Sequence, residues 1–198
     1  YWQTTIGSEL KGKMLGLIGL GKIGSQVSQI AKAFGMEVCA WSENLNLTHA
    51  NEIGVLPMSK EDLLKNSDII SIHVVLSEKY KNLITKKEIA MMKKSSFLIN
   101  TSRGGIVNEI ALIEQDNVSY IADVWENEPS PSKSIINKAY IATPHIGGYS
   151  KEGKVNGSKM IAIAVTNYLE TFKNKNPFLF KNPADKKTIN SSFAKAII

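Results

Sequence analysis

The sequence contains a single cysteine, Cys39, among its 198 residues. An internal disulfide is therefore excluded, and so little cysteine is typical of a reducing compartment. We expect a cytoplasmic protein whose one thiol lies buried in the apolar segment MEVCAW. No apolar run approaches the roughly 20 residues that a membrane-spanning helix requires, which predicts that no membrane is involved. The chain also lacks an initiator methionine and a basic-then-apolar leader, so we expect a fragment or a processed piece.

Aromatic residues are scarce, at 8% of the sequence, whereas basic residues exceed acidic ones and give a net charge of +6. Surfaces that bind nucleic acid interleave basic with aromatic side chains. The lysines here are spread along amphipathic segments and a C-terminal stretch without such interleaving. We therefore predict solvated helix faces and a basic tail, with no nucleic-acid partner. No metal site is predicted either.

Apolar residues make up 43% of the chain, which is enough to form a core. Short apolar runs alternate with amphipathic segments, and this alternation indicates a parallel sheet covered by helices on both faces. Right-handed crossovers then produce an α/β fold, a doubly wound parallel sheet of the Rossmann type. Strands are predicted at 14–20, 36–41, 68–75, 96–102, 118–125 and 139–144, and helices at 22–35, 59–68, 85–94, 108–115 and 151–174.

The composition changes near Asn174, where Lys, Asn, Pro and Ser become frequent. We predict one dinucleotide-binding domain over residues 1–174. Residues 175–198 are predicted to form a polar tail or a crossing segment outside the sheet.

Three glycines, Gly19, Gly21 and Gly24, have the spacing G-x-G-x-x-G between the first predicted strand and the first predicted helix. In this context the spacing is typical of a turn that holds the pyrophosphate of a dinucleotide at a helix N-terminus. The first glycine would permit a tight turn, the second would leave room for the pyrophosphate, and the third would let helix and strand pack closely. The alternative is a packing turn in another α/β fold.

The end of the second predicted strand bears on the choice between NAD and NADP. Folds that bind NAD usually place an acidic residue there for the ribose hydroxyls. This chain has Ser42, followed by Glu43. No Lys or Arg that could hold a 2′-phosphate lies between Trp41 and Ser59. The sequence therefore favours NAD slightly, with NADP not excluded.

Three polar residues follow later strands: Arg103, Glu128 and His145. Ligands of such folds collect at the carboxyl ends of the strands. Arginine can bind a carboxylate through two parallel hydrogen bonds, and histidine can exchange a proton near neutral pH. Any one of these residues alone would more often be a surface ion pair or a structural histidine. Three at successive strand ends suit hydride transfer between a nicotinamide and a 2-hydroxy acid.

Several segments together resemble the nucleotide-binding domain of the D-isomer-specific 2-hydroxyacid dehydrogenases: WQTTIGSELKGKMLGLIGLGKIG, SDIISIHVVL, LINTSRGGIVNE, DVWENEP and ATPHIGGYS. The resemblance covers about residues 2–172. It implies that Arg103, Glu128 and His145 are catalytic, that NAD is the cofactor, that a small 2-hydroxy or 2-oxo acid is the substrate, and that the protein is a homodimer.

The same resemblance implies the residues that contact the cofactor. Asp123 would hold the nicotinamide carboxamide, and the backbone of Lys22 and Ile23 would meet the phosphates. His73 would line the cofactor, although it could equally face the cleft for structural reasons only. The remaining implied cofactor contacts are Val74, Thr101, Gly147 and Gly148, in addition to the three glycines and Ser42.

The chain differs from that family in two respects. Between Glu109 and Asp123 it is about four residues shorter, which predicts a clipped turn between helix and strand. Most of the family's substrate domain precedes the Trp-Gln segment, so we expect this chain alone to be an incomplete enzyme. The segment 123–160 resembles erythronate-4-phosphate dehydrogenases, whereas the first half resembles general 2-hydroxyacid or phosphoglycerate-type members, so no substrate is assigned.

Two other functions stay open at this point. The chain could be a cofactor-sensing binding module, like the corepressor relatives of the family, which can keep the same three side chains. It could also be an inactive truncated product. The lysine- and asparagine-rich composition and the lack of an appended interaction segment favour the oxidoreductase.

Overall fold

The computed structural model describes residues 7–175. The predicted tail at 175–198 therefore lies outside the described residues, except for Lys175. The chain divides into two compact units, Tyr1–Gly147 and Gly148–Ile198. The prediction of a single domain over 1–174 stays a prediction.

Strands and helices alternate throughout the first unit. In chain order the elements are β1 (Met14–Ile18), α1 (Lys22–Ala33), β2 (Glu37–Trp41), α2 (Leu47–Glu52), β3 (Leu56–Pro57), α3 (Lys60–Asn66), β4 (Ile69–Ile72), α4 (Lys86–Met91), β5 (Ser96–Asn100), α5 (Glu109–Ile113), β6 (Val118–Ala122), α6 (Lys133–Lys138) and β7 (Ile141–Ala142). The second unit contains α7 (Lys151–Lys175).

The seven strands form one sheet in the order β3-β2-β1-β4-β5-β6-β7, and each neighbouring pair is parallel. The chain forms β1 in the middle of the sheet and continues through β2 to β3 at one edge. It then returns to the other side of β1, where β4 begins the second half of the sheet. The winding direction thus reverses between β1 and β4, where ligands of doubly wound folds bind. The predicted Rossmann-type fold is confirmed.

Three short elements were missed by the sequence analysis: β3, α2 and α6. The strand has two residues and the helices have six each, too short to show a hydrophobic period. All six predicted strands are shorter in the structure, because the ends of the predicted segments leave the sheet. The differences are largest for the segments 68–75 and 139–144. Residues 114–117 alone connect α5 to β6, as expected from the short spacing there.

Side-chain caps explain where several helices begin. Ser59 accepts a hydrogen bond from the Asp62 amide at 3.1 Å, and Asn108 accepts one from the Ala111 amide at 2.9 Å. Such caps satisfy amides that the first helical turn leaves without partners, and each contributes about 1 kcal/mol. Both had been predicted as helix starts.

The core lies on both faces of the sheet, as a parallel sheet requires. Leu17, Ile18, Ile70, Ile72 and Leu98 have no exposed surface. The Cys39 side chain is equally buried, which confirms the prediction of a buried thiol. This packing holds the strand ends rigidly and thereby positions the loops that follow them.

The second unit is described by its single long helix, which begins one turn after Gly148 and matches the predicted helix at 151–174 to within one residue. Its large apolar side chains are exposed, among them Ile161 and Tyr168. Over the described residues, 7–175, no helix combines the length and the hydrophobicity needed to cross a bilayer.

Candidate active site

The glycine turn after β1 leaves an open space at the start of α1. Gly19 has φ 100°, and a Cβ there would lie 2.8 Å from the His73 carbonyl oxygen. A Cβ at Gly24 would lie 2.3 Å from the Gly19 carbonyl oxygen, so these two glycines are needed for packing. At Gly21, by contrast, a Cβ would meet nothing within 4 Å. The middle glycine therefore borders free space.

The first turn of α1 suits an anion. Gly21 is its N-cap and offers no side-chain acceptor, and no acidic residue lies in the first turn. Lys22 and Ile23 begin the helix and are exposed. Amides at a helix start carry partial positive charge and need acceptors. A phosphate over this turn would supply them, as the sequence analysis predicted.

At the end of β2, Ser42 is half-buried and Glu43 is exposed. The Glu43 carboxylate pairs with the Lys79 ammonium, which comes from the loop after β4. The sequence analysis missed this lysine because it considered basic residues only between Trp41 and Ser59. Nothing in the local sequence could have indicated the contact, which joins two loops 36 positions apart.

A cavity of about 250 Å³ lies between the start of α1 and the loops after β4 and β5. Among its lining residues are Ile23, His73, Val74, Thr101 and Arg103. The structure thus brings five predicted site residues together. Their predicted roles stay predictions, because geometry alone does not identify the occupant.

His73 is half-buried, and its Nε2 lies 2.9 Å from the Ser71 hydroxyl oxygen. Burial lowers the His73 pKa below its ordinary value, so the ring is neutral at neutral pH. Its backbone amide donates to the Ile18 carbonyl at 2.7 Å, which ties the loop to the end of β1. The residue therefore has a structural role at the cavity wall, whatever it contacts in a complex.

The loop that carries Arg103 is held by its own neighbours. The buried Asn100 side chain donates to the Arg103 carbonyl at 3.0 Å and accepts from the Ser102 amide at 3.1 Å. The Ser102 hydroxyl donates to the Ile72 carbonyl at 2.7 Å. The Arg103 side chain itself is exposed. Asn100 was missed by the sequence analysis, although a polar residue at the last position of an apolar strand was an available signal.

Glu128 and His145 form a direct pair, with 2.7 Å between the histidine Nδ1 and the carboxylate Oε2. The other carboxylate oxygen accepts from the Trp125 amide at 2.8 Å. Partial burial raises the Glu128 pKa, but these hydrogen bonds and the charges of His145 and Arg103 outweigh it and lower the pKa overall. Glu128 is thus ionised and accepts the Nδ1 proton, which leaves Nε2 as the nitrogen available for chemistry.

Asp123 holds the turn in which His145 lies. Its Oδ1 accepts from the Thr143 hydroxyl at 2.5 Å and the Ile146 amide at 2.8 Å, and its Oδ2 accepts from the Gly147 amide at 2.7 Å. Both oxygens therefore have partners within the first unit. The predicted contact with a nicotinamide carboxamide stays a prediction, but a positioning role is already visible.

Burial raises the Asp123 pKa, yet the hydrogen bonds from Thr143, Ile146 and Gly147 and the charge of His145 together lower it below its ordinary value. A carboxyl group whose pKa is lower in the folded chain than in the unfolded chain stabilises the fold at pH values above its unfolded-state pKa of about 3.9. This stabilisation is lost as the pH falls through the pKa that the group has in the folded chain.

We expect Asp123→Asn to destabilise the chain at neutral pH by about 1–3 kcal/mol, because the new amide cannot accept from Gly147. The difference from the wild-type chain should narrow as the pH is lowered from about 6 to about 3. Urea unfolding of both chains at each pH measures this difference in the free energy of unfolding. The control is Glu61→Gln in the exposed first turn of α3, which should change the free energy of unfolding little at any of these pH values. A difference between wild type and Asp123→Asn that is constant over this pH range would contradict the linkage.

Gly148 belongs to the second unit and has φ 82°; its contact with the cofactor stays a prediction. Within residues 7–175 no group of three or more His, Cys, Asp or Glu side chains is placed to hold a metal ion.

The sheet order and the open glycine turn define a dinucleotide-binding domain of the Rossmann class. Residues 1–147 match the family model of the D-isomer specific 2-hydroxyacid dehydrogenase, NAD binding domain, and the chain belongs to this family. The resemblance inferred from the sequence motifs is thereby confirmed, and the domain is an NAD-binding domain of that family.

The names of similar proteins refer to two activities. The chain is 40% identical over 174 residues to a D-3-phosphoglycerate dehydrogenase of Bacillus subtilis, which covers 84% of this chain and 33% of that protein. It is 39% identical over 163 residues to a glyoxylate reductase of Aeropyrum pernix, covering 79% of this chain and 49% of that protein. The chain thus spans between a third and about half of the length of these relatives.

Solved structures of the same family share the fold. A glyoxylate reductase from Paecilomyes thermophila superimposes with a TM-score of 0.74 at 34% identity, covering 85% of this chain and 52% of that one. A D-lactate dehydrogenase with NAD+ from Lactobacillus jensenii gives a TM-score of 0.66 at 31% identity, covering 75% of this chain and 50% of that one.

Proposed function

We propose that this chain supplies the cofactor site and the catalytic side chains of a dehydrogenase that interconverts a D-2-hydroxy acid and a 2-oxo acid. The observation that carries the proposal is the Glu128–His145 pair at 2.7 Å, with the Arg103 charge close enough to lower the Glu128 pKa. These three side chains follow β5, β6 and β7, the neighbouring strands on one side of the glycine turn.

The residues present suit NAD. Free space over Gly21 and uncapped amides at the start of α1 match a pyrophosphate in size and charge. The cavity beside Ile23, Thr101 and Arg103 would receive the nicotinamide end. When bound, NAD accepts or supplies the hydride.

The protein's own part in the reaction is to hold the acid and move one proton. The Arg103 guanidinium can bind the substrate carboxylate through two hydrogen bonds. In the reductive direction, protonated His145 donates from Nε2 to the carbonyl oxygen as negative charge develops there. Glu128 keeps the ring oriented through its contact with Nδ1. In the oxidative direction the same nitrogen accepts the hydroxyl proton.

Small 2-oxo acids are the first substrates to test, since relatives are named for glyoxylate and phosphoglycerate. The test has two arms, calorimetric binding of NADH and the fall in NADH absorbance with glyoxylate or hydroxypyruvate. Binding together with turnover supports the proposal. Tight NADH binding without turnover, in a protein that also carries the family's substrate domain, indicates the cofactor-sensing module. The absence of NADH binding rejects both the dehydrogenase and the cofactor-sensing module.

A homodimer and a cytoplasmic location also belong to this proposal. Analytical ultracentrifugation of the purified protein tests the first, and cell fractionation tests the second.

We infer that NADH is preferred over NADPH because Glu43 beside Ser42 presents a carboxylate at the end of β2. Glu43→Gln should improve NADPH affinity several-fold, since Lys79 loses its partner and becomes free to meet a 2′-phosphate. NADH affinity should change little. Calorimetry with both cofactors measures the ratio, with Glu52→Gln at the end of α2 as the control. An unchanged NADPH affinity in Glu43→Gln would show that the pair does not set the preference.

A further inference from the structure

The peptide between Trp125 and Glu126 connects several parts of the candidate active site. The Trp125 amide, which belongs to the peptide just before it, donates to Glu128 Oε1 at 2.8 Å, and Glu128 in turn binds His145. On another side, a Cβ at Gly104 would lie 1.9 Å from the Trp125 carbonyl oxygen, so the backbone next to Arg103 packs directly against this peptide. The position of the Trp125–Glu126 peptide therefore affects where the arginine loop lies and, through the adjoining Trp125 amide, where the Glu128 carboxylate lies.

A buried carboxylate from a distant helix holds the same peptide. Glu109, in the first turn of α5, is 7% exposed, and its Oε1 accepts from the Glu126 amide at 2.7 Å. The contact spans 17 positions of sequence. A charged side chain is rarely buried without a specific partner, and here the partner is the backbone of the loop that carries Glu128.

We propose that Glu109 is a positioning residue that fixes the Trp125–Glu126 peptide and, through it, the Glu128–His145 pair. The inference rests on the proposed roles of Glu128 and His145, and it adds a residue that contacts neither the substrate nor the cofactor. Removing the acceptor oxygen leaves the Glu126 amide without its partner, so the loop 125–128 loses an anchor and the Trp125 amide moves away from Glu128.

The charges around Glu109 make its effect measurable. Burial raises the Glu109 pKa, the Glu126 amide opposes this, and the nearby Glu126 and Glu128 carboxylates raise the pKa further, with an overall increase. Burial raises the pKa of Tyr120, and the nearby negative charge of Glu109 adds to this increase. On the opposite side, Glu128 faces His145 and Arg103, and its pKa is lowered. Glu128 therefore ionises first as the pH rises, while Glu109 is still protonated.

The test follows the Glu128 carboxyl carbon by NMR during a pH titration of the whole 198-residue chain. Glu109→Gln keeps an acceptor oxygen and mimics the protonated acid, so Glu128 should titrate as it does in the wild-type chain. Glu109→Leu removes the acceptor, and the Glu128 pKa should rise towards that of an exposed glutamate. The matched control is Glu114→Leu at the exposed end of α5, which should change nothing.

Wild-type protein provides a second measurement that does not depend on the folding of Glu109→Leu. The Glu126 amide and the Glu128 carboxyl carbon should both show a second inflection where Glu109 titrates. An inflection at the amide alone, or a Glu128 titration unchanged in folded Glu109→Leu, overturns the proposal. NADH affinity should be the same in all these variants. If the wild-type chain does not bind NADH, the proposed function is rejected, but the titrations still show whether Glu109 positions Glu128.

Discussion

Replacing Gly21 with valine is expected to abolish NADH binding while the chain remains folded. A Cβ at this position meets nothing within 4 Å, so the side chain has room in the protein itself. That room is the space over the start of α1 where a pyrophosphate would lie. We expect affinity to fall by about 100-fold or more, which corresponds to about 2.7 kcal/mol. Calorimetry with NADH measures the loss.

Gly7→Val is the matched control, because a Cβ at Gly7 also meets nothing within 4 Å and Gly7 precedes β1, whereas the glycine turn follows it. Both variants should unfold thermally close to the wild-type temperature. If the two variants bind NADH equally well, the turn after β1 is a packing turn and does not hold the cofactor.

His145→Ala should lower kcat by about 10²- to 10⁴-fold, the usual contribution of a positioned general acid–base group. The reason is the geometry of the pair: Glu128 holds Nδ1 at 2.7 Å, which leaves Nε2 to exchange the proton of the substrate oxygen. The measurement is steady-state oxidation of NADH by a 2-oxo acid at saturating cofactor, in a complete enzyme that also carries the substrate domain.

His49→Ala is the control for that substitution. His49 lies in α2, where its Nε2 contacts the Ser25 hydroxyl at 2.9 Å, and it does not line the cavity beside Arg103. Its loss should leave kcat nearly unchanged, and neither variant should lose NADH affinity. A kcat for His145→Ala within about threefold of the wild-type value would be too small for general acid–base catalysis and would remove His145 from the mechanism.

The sequence by itself determined the fold class, the nucleotide turn and the three strand-end side chains. These features are local: apolar runs of four to eight residues predict strands, and the spacing of Gly19, Gly21 and Gly24 is read within six positions. The helix starts at Ser59 and Asn108 were predictable for the same reason, because a cap and its partner amide are three residues apart. Short elements such as β3 and α6 were not, since they are too brief to show a period.

Only the tertiary structure decided which side chains support the site. Lys79 meets Glu43, Asp123 holds the turn around Ile146 and Gly147, and Glu109 reaches the Glu126 amide. Each contact joins residues between 17 and 36 positions apart, brought together because the parallel strands of one sheet end at the same edge. No local pattern encodes such a pairing. The sequence therefore indicates the side chains that we propose to be catalytic, and the folded sheet determines which residues hold them in place.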